Sequence, residues 1–159
     1  MHQGLFQNAE SLKGLIDMSD NTVKLHYSVE ANDFTVAGQA SAAVKKVLKQ
    51  LGFAPDIIRK VAVAMYECEI NMVIHACGGE IDVFITPEKI RMVHKDKGPG
   101  IKDIEKAMQE GFSTADEKVR ELGFGAGMGL PNMKRYTDDM KITTQIGVGT
   151  TVDMTVNIK

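Results

Sequence analysis

The sequence predicts an α/β protein: a mixed, mainly antiparallel sheet with helices on one face. Three observations predict it. The segments run strand, helix, helix, strand, strand, helix, long loop, helix, strand, strand, and this lack of strict alternation disfavours a doubly wound parallel sheet. Two pairs of alternating segments are joined by short turns and read as hairpins. One stretch, Ala62 to Ala76, carries apolar residues at helical spacing with no Gly or Pro, which argues a helix around which the chain is organised.

The bulk numbers bound the function. A chain of 159 residues suits one domain with a real core, and 43% hydrophobic with 25% charged residues is ordinary for a globular protein. A formal net charge of -2 without a basic patch argues against a nucleic-acid partner. No apolar run reaches membrane-spanning length and no basic segment leads an apolar one at the N-terminus, so no membrane is expected and the protein is placed in the cytoplasm. Cys68 and Cys77 make no metal-ligand spacing and are expected as reduced thiols. The ten methionines suit core filling or an adaptable partner surface.

In chain order, residues 1–22 form an N-terminal arm, a short helix or a loosely ordered tail, and residues 23–159 form the domain. Val23 to Val29 alternates as a half-buried strand. Asp33 can cap a helix from about Phe34 to Leu51, with Val36, Ala40, Val44, Val47, Leu48 and Leu51 on its apolar face and Gly52 ending it. Pro55 suits the first turn of the next helix, which carries Ala62 to Ala76 and ends at Gly78-Gly79. Glu80 to Thr86 and Lys89 to Lys95 form a hairpin about Pro87-Glu88. A third helix is expected over Lys102 to Glu110. A long loop, functional or mobile, follows from Gly111 to Gly129 with a charged middle from Asp116 to Glu121. Leu130 to Tyr136 reads as a helix, and Lys141 to Ile146 with Thr151 to Ile158 as a closing hairpin turned by Gly147-Val148-Gly149.

Chemistry concentrates at four places. Glu67, Asn71 and His75 recur at i, i+4 and i+8 and share one helix face. A carboxylate and an amide there need a polar partner, and a magnesium nucleotide would supply one. His75 could touch phosphate or metal, or serve as a helix-end histidine; Glu69 lies on the other side and is expected in solvent. Asp96-x-Gly98-x-Gly100 follows a strand. The aspartate could accept from an exocyclic amine such as adenine N6, and an ordinary Asp-Gly turn has the same residues. Gly123 to Gly129 has glycine at every second position before a helix, which suits an anion site or a hinge. Gly147-Val148-Gly149-Thr150-Thr151 is a hairpin turn, or its threonines offer hydroxyls beside Asp96. Lys134 and Arg135 suit the surface of their helix.

The order of these pieces resembles the GHKL ATPase superfamily, which includes gyrase and the histidine kinases. Within it, the run from Ala107 to Thr114 and the run from Gly125 to Arg135 look most like the serine/threonine kinases of bacterial partner switching, the anti-sigma factor kinases and the stressosome switch kinase. The resemblance implies a two-layer α/β sandwich of the Bergerat type, with ATP and Mg²⁺ as cofactors. It implies Glu67 as the catalytic base, Asn71 as the Mg²⁺ ligand, and Asp96 on adenine with Thr150 in support. Gly98 and Gly100 would lie against the base, and Gly125, Gly127 and Gly129 against the phosphates. The implied partner is a STAS-domain protein, anti-anti-sigma-like; a sigma factor, a PP2C-type phosphatase and a homodimer are also allowed. A binding-only anti-sigma or adaptor module and an ATPase that hydrolyses to water stay open. The first helix has no arginine, which related kinases often use to grip a partner.

Overall fold

The computed structural model describes residues 21–75, 77–109 and 129–158. Five strands, β1 (Val23–Val29), β2 (Gly79–Ile85), β3 (Lys89–Asp96), β4 (Asp139–Gln145) and β5 (Gly149–Asn157), form one sheet in the order β1-β2-β3-β5-β4. Every ladder among the described residues is antiparallel. The helices are α1 (Gln39–Gln50), α2 (Pro55–Ile74), α3 (Ile104–Ala107) and α4 (Gly129–Arg135). The core lies between one sheet face and α1, α2 and α4. Leu25, Val83, Met92 and Met154 rise from the strands to meet Val44, Leu48, Val61, Met65 and Met133. This is a two-layer α/β sandwich with helices on one face, as the sequence predicts.

Strand alternation explains the layering, because successive side chains leave a strand on opposite sides. On the face away from the helices, Phe84 lies between Lys24 and Arg91, and Arg91 makes a two-pronged contact with Asp153 at 2.9 and 2.6 Å. Met65, Met72, Met92, Met133 and Met154 are buried, so these methionines fill the core. Cys68 is buried, Cys77 is exposed, and both are free thiols.

Three expectations need correcting. The first helix begins at Gln39, not near Phe34. Asp33 is spent on a local turn, accepting from the Thr35 N–H and hydroxyl at 3.2 and 2.5 Å, and Gly38 breaks helical geometry with φ +90°. The third helix shrinks to one turn over Ile104–Ala107, capped by Asp103 on the Lys106 N–H. Glu69 is not in solvent: it is 2% exposed, for a reason given below. The arm over residues 1–20 and the loop and charged segment over 110–128 lie outside the described residues.

One core position is unusual. His94 on β3 points toward α2, is 1% exposed, and has no hydrogen bond of good geometry on either ring nitrogen, although the Met65 backbone faces it. Burial lowers its pKa from 6.5 to about 3, so the fold holds the neutral ring. The unfolded chain takes up this proton near pH 6.5 and the folded chain does not. Stability from this site is therefore complete above about 6.5 and is lost as pH falls toward about 3. In His94→Leu, the drop in unfolding free energy between about pH 7 and about pH 4, measured by urea denaturation, should be smaller than in wild type by on the order of 3 kcal/mol.

Candidate functional site

Helix α2 carries the first group of candidate residues. Pro55 opens it at the first turn, as its fixed φ and missing N–H allow. Glu67, Asn71 and His75 emerge half-buried from one side. Glu67 accepts a hydrogen bond from Asn132 Nδ2 of α4 at 3.3 Å. Asn71 faces the first residue of α4: a Cβ added at Gly129 would lie 3.1 Å from Asn71 Nδ2 and 3.3 Å from Oδ1. Glycine at 129 thus leaves the space in front of the amide, which makes no hydrogen bond among the described residues. His75 is the C-cap of α2, its N–H bonded to the Asn71 carbonyl at 2.9 Å, and burial lowers its pKa.

The second group is built at the end of β3. Asp96 Oδ1 accepts the Gly98 N–H at 2.9 Å and the Thr150 N–H at 3.0 Å. Among the described residues Oδ2 has no hydrogen bond, so one carboxylate oxygen is held while the other is offered. Thr150 serves Asp96 through its backbone; its hydroxyl pairs with that of Thr144 at 2.9 Å. Thr144 in turn accepts the Ile101 N–H at 2.9 Å and so ties the loop after Asp96 to β4. Gly98 is buried. Gly100, with φ +84°, packs on protein: a Cβ there would lie 2.8 Å from the Gln145 carbonyl oxygen. Gly79 and Gly149 flank Asp96 on β2 and β5, where a Cβ would strike the Lys95 and Asp96 carbonyl oxygens.

The two groups share α2. Cys68, next to Glu67, is fully buried and its thiol pKa is pushed up by burial first, then by the charges of Asp96 and Glu69. Asp96 therefore lies under the helix that bears Glu67 and Asn71. Gly125 and Gly127 fall outside the described residues. Sequence reasoning missed Asn132, Thr144, Gly79 and Gly149. Only the two glycines left a local signal, each at the start of a strand.

A separate groove of about 610 Å³ runs between the start of α1 and the middle of α2, lined by residues 37–39, 41, 42, 62, 63, 66 and 67. Of the candidate residues only Glu67 reaches it, so the groove is a place apart from the Asp96 group and meets the first group at Glu67. Among the described residues, no group of three or more His, Cys, Asp or Glu could hold a metal, and no helix is long and apolar enough to cross a membrane. A cation near Asn71 would thus need most of its oxygen ligands from elsewhere, as Mg²⁺ does when it rides on substrate phosphates. An open amide oxygen donor and a free Asp96 oxygen fit a magnesium nucleotide.

Residues 29–156 match the family described as the histidine kinase-like ATPase domain, and the chain belongs to it. It is similar to the serine/threonine-protein kinase RsbT of Bacillus subtilis, 31% identical over 112 residues that cover 68% of this chain and 78% of that one. It is also similar to the anti-sigma F factor of Caldanaerobacter subterraneus subsp. tengcongensis, 35% identical over 121 residues, or 73% and 81% of the two chains. In architecture it matches the crystal structure of the RsbU and RsbW domains of Rv1364c from Mycobacterium tuberculosis, with a TM-score of 0.54 at 18% identity, over 84% of this chain and 32% of that longer one.

Asp96→Asn tests the second group. Its amide oxygen can keep the Gly98 and Thr150 bonds, so the fold should hold, while an N–H₂ donor replaces the free oxygen. Affinity for ATP, measured by calorimetry, should fall about tenfold to a hundredfold, the value of one buried polar contact.

Proposed function

We propose that the chain is an ATP-dependent serine/threonine protein kinase of a partner-switching module, with a STAS-domain protein as its substrate. The observation that carries this reading is the place of Glu67. Its carboxylate is held by Asn132 on the α4 side, where Asn71 and Gly129 meet, and reaches the open groove on the α1 side. A base between a nucleotide side and an open side is what transfer to a protein hydroxyl requires. The similarity to a serine/threonine-protein kinase supports it.

In this mechanism Asp96 Oδ2 accepts from the adenine amine while Thr150 and Gly98 fix Oδ1. Asn71 would hold Mg²⁺ through its side-chain oxygen, and the room left by Gly129 would admit the phosphates. Bound Mg²⁺ would neutralise charge on the phosphates, the main need of phosphoryl transfer besides positioning. Glu67 takes the proton of the attacking serine or threonine hydroxyl. The acceptor oxygen bonds the γ-phosphorus as the bond to the ADP oxygen breaks. Residues 23–159 make the ATP-binding domain, with 1–22 as an arm, in a cytoplasmic protein. The likeness to an anti-sigma F factor favours a second reading, in which the chain also holds a sigma factor.

The test is incubation with γ-labelled ATP and the STAS-domain proteins of the same organism. A labelled partner is expected. Free phosphate alone would make the chain a hydrolase, and neither product would make it a binding module.

Glu67→Gln should lower transfer about 10²–10⁴-fold, the usual cost of a lost general base. ATP affinity should hold or rise slightly, since a negative charge near the triphosphate is gone. Asn71→Ala should instead weaken ATP binding and make it less dependent on magnesium. Filter binding and partner labelling on one preparation of each variant separate these outcomes.

A further inference from the structure

Glu69 has no role in the mechanism above, yet its surroundings are built for it. It leaves α2 two residues after Glu67 and accepts three N–H groups from the start of α1: Gly38 at 3.1 Å, Ala40 at 2.9 Å and Ser41 at 3.2 Å. The Ser41 hydroxyl lies close but donates to the Gly38 carbonyl at 2.9 Å. On β1 the buried Tyr27 hydroxyl makes no hydrogen bond among the described residues, and burial, then the Glu69 charge, pushes that phenol up to about 12. Among the described residues no cation pairs with Glu69. Its charge is met by the N–H groups and the positive end of a 12-residue helix.

A helix start is ordinarily satisfied by its own Ser, Thr, Asp or Asn. Here Gly38 offers no side chain, and the cap comes from a neighbouring helix. The contact therefore also sets the distance between the two helices. That distance is the width of the groove: Gly38 and Ala42 line one wall, Ala62 and Tyr66 the other, and Glu67 also reaches it. Gly38 sits so close to Tyr66 that a Cβ there would lie 2.9 Å from its ring.

We infer that Glu69 is a positioning residue for phosphoryl transfer: by holding the start of α1 it shapes the groove in which the partner segment bearing the acceptor hydroxyl meets Glu67. This rests on the kinase reading. In-line transfer puts the acceptor opposite the leaving group. With the nucleotide on the Asn71 and Gly129 side of Glu67, the groove is the open approach on the other. Small apolar walls suit an extended, uncharged segment around the acceptor Ser or Thr. Its hydroxyl proton passes to Glu67 as its oxygen bonds phosphorus and ADP departs.

Three variants test it on a STAS-domain protein that the wild type labels. Glu69→Gln keeps the shape but turns a donor toward an N–H, Glu69→Asp keeps the charge but withdraws it by one methylene, and Ala42→Leu fills the groove without touching the cap. In both Glu69 variants KM for the protein should rise roughly tenfold while kcat and ATP affinity stay within about twofold. Hydrogen exchange at Gly38, Ala40 and Ser41 should speed up. Ala42→Leu should raise the same KM with those amides unchanged. An unchanged protein KM in whichever Glu69 variant folds overturns the inference, as does a fall in kcat alone. A wild type that labels no partner overturns the kinase reading, and this inference falls with it.

Discussion

Three backbone N–H groups at the start of α1 converge on one buried carboxylate, and the mutual position of the two long helices depends on that contact. Glu69 could not stay charged in the core on packing alone, since a buried carboxylate without partners costs several kilocalories per mole or takes up a proton. Burial does raise its pKa, and the N–H bonds from Ala40, Ser41 and Gly38 oppose the rise. The same bonds remove three unsatisfied donors from a helix start that lies partly out of water. Helix and acid each supply what the other lacks.

Asp96 does comparable work at the end of the sheet. Its Oδ1 binds the loop after β3 and the start of β5 together, and the Thr144 and Thr150 hydroxyls extend that link to β4. Such closeness is allowed because Gly79 and Gly149 present no side chain at the two neighbouring positions. The glycines after Asp96 serve the protein itself. Gly98 donates to the aspartate, and Gly100 lets the loop lie on the β4–β5 turn, where the Gly147 N–H meets the Pro99 carbonyl at 2.9 Å. These bonds hold the aspartate in a fixed direction, so that Oδ2, unbonded among the described residues, is preorganised for a contact.

Helix α2 joins these two arrangements. Its buried side rests on the sheet through Val61, Met65, Cys68 and Met72, which leaves two polar flanks. Glu67 and Asn71 look toward α4, and Glu69 looks toward α1. A helix held on three sides has little freedom to rotate, so residues two and four apart keep separate tasks. This explains how one short segment can combine a structural carboxylate and a candidate catalytic base without exchanging their roles.

The sequence by itself determined the local frame. The alternation in Val23–Val29 and in both hairpins, Pro55 at a helix start, and the shared face of Glu67 and Asn71 all follow from short-range periodicity and backbone sterics. It also held the order of motifs that marks the family. Tertiary structure alone decided the start of α1, because Asp33 takes the Thr35 N–H in a local turn while the N–H groups of Gly38, Ala40 and Ser41 go to Glu69, an acid 36 residues beyond Asp33 that only packing brings to the helix start. It alone decided that Glu69 is inside: i and i+2 on a helix lie on different sides, and which side faces water depends on the neighbour that covers it. The same holds for Asn132 beside Glu67 and Gly129 beside Asn71. Those pairs are made by a helix more than fifty residues further along the chain, and no local rule reaches that far.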